Sequence, residues 1–194
     1  MNILVLGPQG SGKGTQAKRI AADRGIPHIS TGDMLRAAMA EGSELGLKVK
    51  AVIEAGKLVS DDLTNDLVED RLARPDAGSG FVLDGYPRNP AQGEALDPML
   101  ERLGRGAVDV VLFFDLSDGI ATERMLARAK AEGRSDDTPE VIAKRLEIYH
   151  AETEPLVERY RAGGILERLD AQRTIDEVNQ QIQSSLGRRL SGDR

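Results

Sequence analysis

Short strand-like runs recur along the chain at 2–6, 27–30, 81–84, 109–116 and 165–169, the most apolar being NILVL and DVVLFFDL. Brief apolar runs bounded by glycine or polar residues predict strands buried in a sheet. Between them, apolar positions fall at helical spacing. Helices are predicted over 13–24, closed by Gly25, and over 33–41, with Met34, Leu35, Ala38 and Met39 in phase. Another is predicted over 43–55, through Leu45, Val49, Val52 and Ile53, ended by Gly56. Ser60 with Asp61 and Asp62 opens the next, a capping serine and two acids at the positive end of the dipole. Helices follow at 90–103 and 118–131, then a polar loop, then a long helix over 139–162 that starts on Pro139 and bends at Pro155. Thr174 and Glu177 form a capping box for a last helix, and 187–194 reads as a frayed tail. This alternation predicts an α/β fold with a five-stranded parallel sheet and helices on both faces. The stretch 33–55, between two strand units, reads as an inserted helical cap.

Composition narrows the chemistry. At 194 residues the chain suits one domain with a sizeable core. Aromatics are 3% and Trp is absent, so Leu, Val, Ile and Ala are expected to dominate that core. There is no Cys, which removes disulfides, thiolate zinc and thiol catalysis together. His28 and His150 are the two imidazoles, and both read as structural, as the methionines read as packing. No long apolar run or secretory signal is visible, so a cytoplasmic protein with no membrane partner is expected. The net charge of −6 argues against general nucleic-acid binding. Any polyanion must then be held by a local concentration of cations.

One segment supplies such a site. LGPQGSGKGTQAKRI, at 6–20, places a glycine-rich turn between the first strand and the first helix. Gly7, Gly10 and Gly12 let successive N–H groups face inward, and the helix N-terminus adds partial positive charge. Lys13 is a mobile charge for β- and γ-phosphates, and Thr15 brings a hydroxyl near a metal. The position after the lysine is Gly14, where the general phosphate-loop pattern has Ser or Thr.

The G-K-G-T form resembles the nucleoside monophosphate kinases. STGDMLR at 30–36, KLVSD at 57–61, LDGYPRNPAQ at 83–92 and GRSDDTPEVIAKRL at 133–146 all look like adenylate kinase, in the right order over essentially the whole chain. The resemblance implies a P-loop three-layer fold with a core of 1–29, 60–126 and 138–194, a helical AMP-binding insertion at 30–59 and a short lid at 127–137. It also implies ATP, AMP and ADP as ligands, Mg²⁺ as cofactor and a monomer.

Roles carry over position by position. Gly10, Ser11, Gly12, Lys13, Gly14 and Thr15 would hold ATP phosphates, with Arg124 on its base and Arg128 on its phosphates. The backbone near Gln172 and Arg173 would pass the ATP adenine, although the local sequence lacks the usual glycine turn. On the AMP side, Thr31 lies against adenine, Arg36 grips phosphate, and Lys57, Leu58 and Val59 close over the base. Gly85, Tyr86 and Pro87 border the nucleotide, Arg88 reaches both phosphate chains, and Gln92 pairs with the adenine edge. Asp84 would hold Mg²⁺ through water. Lys13, Arg88, Arg128, Arg134 and Arg145 would form the catalytic set, with Asp136 and Asp137 as a hinge pair for the lid. Taken alone, an arginine such as Arg36 is usually a solvated cation, Asp84 has the alternative of a loop or cap residue, and the Arg124–Arg128 pair that of an exposed helix face.

The resemblance implies phosphoryl transfer without a protein base. A phosphate acceptor is already mostly ionised at neutral pH, so charge neutralisation and positioning remain to be done, and guanidinium forks suit both. Water must be excluded, and the insertion and lid are the natural moving parts. A related pyrimidine monophosphate kinase is the nearest rival, against which Thr31 and Gln92 favour adenine. A nucleotide sensor without turnover is the rival from another class. Pro8-Gln9 departs from the family, which more often has proline at the second position; a shifted turn is expected.

Overall fold

The computed structural model describes residues 1–42, 44–55, 57–132 and 137–191. Strands β1 (Asn2–Leu6), β2 (His28–Ser30), β3 (Phe81–Asp84), β4 (Val110–Asp115) and β5 (Leu166–Asp170) form one parallel sheet in the order β2-β3-β1-β4-β5. Helices α1 (Lys13–Arg24), α2 (Thr31–Ala40), α3 (Glu44–Glu54), α4 (Asp61–Ala73), α5 (Pro90–Arg102), α6 (Asp118–Glu132), α7 (Pro139–Ile148), α8 (Pro155–Ala162) and α9 (Ile175–Ser191) connect and cover it.

The alternation along β1 explains the layering. Ile3 and Val5 face one cluster with Ala17 and Ile20 of α1, Met125 of α6, Ile142 of α7 and Ile182 of α9. Leu4 and Leu6 face the other, with Leu72 of α4, Leu96 and Met99 of α5 and Leu156 of α8. A strand covered on both faces is apolar along nearly its whole length, which is why Ile3–Leu6 shows no alternation. The chain's six aromatics, Phe81, Phe113, Phe114, Tyr86, Tyr149 and Tyr160, are all buried. They supply more of the core than their scarcity predicts. Leu35 of α2 and Val49 of α3 are buried outside both clusters, so these two helices pack largely on one another.

Four local expectations are corrected. The first concerns α2, which starts at Thr31, two residues early, because Ser30 is its cap and accepts a bond from the Asp33 N–H at 3.3 Å. Ser60 does precede α4, but its side chain makes no capping bond. The helix predicted over 139–162 is divided by a π-turn at Tyr149–Thr153, closed by Glu154 N–H donating to the Tyr149 carbonyl at 2.9 Å. Pro155 has no N–H to give and its ring crowds the preceding turn, so the chain widens just ahead of it and restarts with proline in the first turn of α8. The tail is helical through Ser191 rather than frayed from Gly187. Ser43, Gly56, Arg134 and Asp136, on which expectations fall, lie outside the described residues. The Thr174–Glu177 box is present, with reciprocal bonds of 3.3 and 3.0 Å.

Candidate active site

The C-terminal ends of β1 and β3 open into a cleft of about 390 Å³, the edge where parallel α/β sheets take ligands. The loop after β1 makes its floor. Gly10 and Gly12 have positive φ, and Gly12 precedes α1 with its backbone left-handed. Gly14 sits against the next strand: a β-carbon built there would lie 3.2 Å from Asp84 Oδ2. A serine or threonine would press on that carboxylate, which accounts for glycine where other phosphate loops place a hydroxyl.

Lys13 donates to the Pro8 carbonyl at 3.1 Å. Burial lowers its pKa to about 8; Asp84 opposes that fall, and Arg88 and Arg128 add to it. The ammonium is thus held among other cations before any anion arrives. Asp84 is buried at the end of β3, with His28 Nε2 3.4 Å from its Oδ2. Burial alone would raise its pKa, but the His28 hydrogen bond and the charges of Lys13, His28 and Arg88 outweigh it, and the carboxyl stays below its ordinary range. An ionised oxygen donor beside a loop that carries the Thr15 hydroxyl fits Mg²⁺, which takes oxygen ligands and keeps several waters.

Gly85, with φ of 81°, turns the chain out of β3. A β-carbon there would meet Thr31 Oγ1 at 2.7 Å and Arg88 Nη2 at 3.0 Å. Both partners instead bond its carbonyl, Thr31 Oγ1 at 2.8 Å and Arg88 Nε at 2.7 Å. One bare glycine therefore fixes the start of α2 and a half-buried guanidinium together. Burial lowers the Arg88 pKa, with Asp84 opposing and Arg145 and Arg36 adding. Arg88 also donates its backbone N–H to Gln92 Oε1 at 2.8 Å, and its carbonyl accepts from Thr153 at 2.6 Å.

Gln92 is buried, and its Nε2 donates to Asp61 Oδ1 at 2.8 Å, the atom that also receives Asn89 Nδ2. Both ends of this amide are thus occupied. Tyr86 does not line the cleft. It is fully buried beneath it, its hydroxyl 2.6 Å from Asn65 Oδ1 and 3.2 Å from the Gln92 carbonyl, and the peptide to Pro87 is cis.

Across the cleft, Arg128 of α6 donates through Nε and Nη2 to Asp137 Oδ2 at 3.0 and 2.6 Å. Arg145 of α7 donates to the other oxygen, Oδ1, at 2.6 Å. The Asp137 side chain is 0% exposed, so this carboxylate locks two guanidiniums facing the phosphate loop. Arg36 pairs with Asp33 at 2.6 Å and lines the cleft with Lys57, Leu58, Val59 and Pro87.

Arg124, one turn before Arg128, bonds the carbonyls of Ala171 and Gln172 at 2.8 and 3.2 Å. It borders a second hollow of about 290 Å³ on the far side of the loop, with Ser11, Arg173, Thr174, Ile175 and Val178. Arg173 therefore lies away from the main cleft, its Nε 3.0 Å from Asp170.

The structure thus brings Lys13, Arg36, Arg88, Arg124, Arg128 and Arg145 to one cleft, as the sequence predicts for these six. His28 and Asp61 were not singled out for the site. His28 read as structural and Asp61 as a helix-start acid, and only the pairing of β2 with β3 and the approach of α4 to α5 reveal their partners.

The sequence model of the family described as Adenylate kinase matches residues 5–165. The chain is 47% identical over 186 residues to an adenylate kinase of Stenotrophomonas maltophilia (strain R551-3), spanning 96% of this chain and 99% of that protein. It is 50% identical over 188 residues to an adenylate kinase of Xanthomonas euvesicatoria pv. vesicatoria (strain 85-10), spanning 97% and 100%. Matched by the family's model over most of its length and about half identical to these relatives nearly end to end, the chain belongs to the adenylate kinase family.

Proposed function

We propose that this protein catalyses reversible, Mg²⁺-dependent transfer of the terminal phosphoryl group of ATP to AMP, giving two ADP, in cytoplasmic adenine nucleotide homeostasis, and acts as a monomer. ATP:AMP phosphotransfer is the activity of the family; the assignment of steps to residues is specific to this chain. The observation that carries it is the convergence of Lys13 and five arginines on one cleft in an acidic protein.

ATP lies across the loop, its phosphates on Gly10, Gly12, Lys13, Gly14 and Thr15 and its base in the second hollow, near Ser11, Arg124 and Arg173. AMP lies in the main cleft, its phosphate on Arg36 and Arg88 and its base by Thr31, Lys57, Leu58 and Val59. Gln92 reads the adenine edge by exchanging its bonds to Asp61 or Arg88 N–H for the base. Arg128 and Arg145, aimed by Asp137, with Arg134 from 127–137, neutralise charge on the phosphoryl group during in-line transfer. Segment 30–59 closes over AMP and 127–137 over ATP, excluding water as a competing acceptor. Asp84 and Thr15 would hold Mg²⁺, which when bound neutralises charge on the β- and γ-oxygens.

The test gives purified protein ADP and Mg²⁺ alone. Equal amounts of ATP and AMP are expected, and Lys13→Ala should stay folded while losing this conversion. Binding of ADP without product would overturn the reading in favour of a sensor. Offering AMP, CMP and UMP with ATP separates the acceptors, and a preference for UMP would overturn the adenine assignment.

A further inference from the structure

Gln9 stands where the family more often has proline, and it lies outside the set of cations that converge on the cleft. Among the described residues, the buried side-chain polar atoms without a hydrogen-bond partner are Gln9 Oε1 and Ser11 Oγ, both in the phosphate loop. Buried polar atoms are nearly always paired, so two orphans two positions apart mark a loop whose polar groups are completed by something that binds there. Ser11 borders the second hollow only, on the side assigned to ATP's base. Gln9 borders the main cleft only, with Arg36, Arg88 and Arg128. The loop thus presents its two orphans to opposite sides.

The position of Gln9 along the loop says which part of the ligand it meets. Lys13 Nζ, the charge that reaches the β- and γ-phosphates, donates to the Pro8 carbonyl at 3.1 Å. The Gln9 side chain springs from the peptide unit that carries this carbonyl. It therefore starts beside Lys13, and the residue lines the main cleft together with Arg88 and Arg128. Because its terminal oxygen is buried without a partner, that oxygen does nothing to hold the loop in shape.

We infer that Gln9 is a further catalytic residue, whose carboxamide touches the phosphoryl group in transit between the two nucleotides. An ionised phosphate oxygen has no proton for Oε1, so the amide N–H donates to the phosphoryl group. Oε1 accepts from one of the cations gathered around the same phosphates. A neutral donor at this point stabilises the spread of charge over the equatorial oxygens without adding another positive charge next to Lys13. The inference rests on the phosphotransfer reading above.

The test compares wild type with Gln9→Leu, Gln9→Glu and Gln9→Pro in steady-state assays that vary ATP and AMP separately, alongside melting temperatures. Gln9→Leu keeps the length and removes the hydrogen bonds. It should lower kcat about tenfold with little change in either KM, less than removal of a sole oxyanion donor because the cations remain. Gln9→Glu keeps the shape but sets an anion against the phosphoryl group, and should cost more than Gln9→Leu. Gln9→Pro should lose activity like Gln9→Leu although its loop is stiffer. Wild-type kcat in folded Gln9→Leu and Gln9→Glu would overturn the inference and leave the function standing. So would activity that follows melting temperature and returns in Gln9→Pro, since the residue would then only shape the loop. A raised KM with unchanged kcat would also overturn it, by placing the contact in ground-state binding. Wild-type protein that binds ATP and AMP without turning them over would overturn both readings, and is distinguished by its own assay.

Discussion

At the residue scale, Lys13 sets function against stability. Its pKa falls from 10.5 to about 8, so the charged form is disfavoured by the folded protein. Between those two values the unfolded chain binds more protons than the native one, and stability contributed by this group rises with pH. Below about pH 8 the protein carries the full cost of a desolvated ammonium, on the order of 3 kcal/mol. Lys13→Met should therefore melt higher than wild type at pH 7, and the gap should narrow as pH rises past 8. Turnover should be lost at every pH. Thermal melts from pH 7 to about 9.5 read both signs, and a variant that melts lower at pH 7 would show the lysine to be structural. The loop motif made Lys13 legible in the sequence because its chemistry is local, confined to a few consecutive residues. Asp137 was legible as an acid in the lid but not as the clamp on Arg128 and Arg145, since that role needs α6 and α7 side by side. Gln92 is singled out in the sequence only through the family resemblance, and its bond to Asp61 spans 31 positions and leaves no local trace.

Elements were legible where one signal decides them. The strands fall within a residue or two of the apolar runs, and α1, closed by Gly25, ends where the sequence places it. The π-turn was not legible, because proline signals an interruption without saying how the chain absorbs it. That turn carries a consequence of its own. His150 within it has Nδ1 2.8 Å from Glu154 Oε2 and Nε2 2.9 Å from Asp118 Oδ1, at the start of α6. Both ring nitrogens face carboxylates, so the imidazolium completes two bonds where the neutral ring completes one. The hydrogen bonds to Glu154 and then Asp118 raise its pKa, and the slight burial of the ring opposes them only weakly. The ring also packs edge-on to Tyr149, centroids 5.3 Å apart. A raised folded pKa means the added stability is present in full below the ordinary histidine value and disappears as pH climbs through the folded one. With the three side chains about half exposed, solvent screening holds it below about 1 kcal/mol. His150→Gln should thus lower the melting temperature at pH 6 and have little effect at pH 8.5. An equal loss at both pH values would assign the effect to packing on Tyr149.

At the scale of the whole molecule, the distribution of charge matters more than its sum. The protein is acidic by six charges, yet the lining of the main cleft carries eight Lys and Arg side chains against Asp33 and Asp84. A concave site of one sign with low-dielectric walls focuses the field, while the acidic exterior repels anions that approach elsewhere. Nucleotides are therefore drawn toward the one region where their phosphates are neutralised. Mobile ions weaken that attraction over the long approach, because the screening length shrinks from about 14 Å at 0.05 M to about 4 Å at 0.5 M salt. In the proposed closed cleft the contacts to the phosphates would be short and dry, out of reach of salt. Binding and chemistry should therefore separate: across that range KM for both nucleotides should rise about three- to tenfold while kcat changes less than about twofold. Steady-state assays in KCl at fixed free Mg²⁺ measure the split, with melting temperature followed in the same buffers. If kcat fell in parallel with KM's rise while the fold stayed intact, the cations would be working in a solvated site, and closure would not be what protects the transferred group from water.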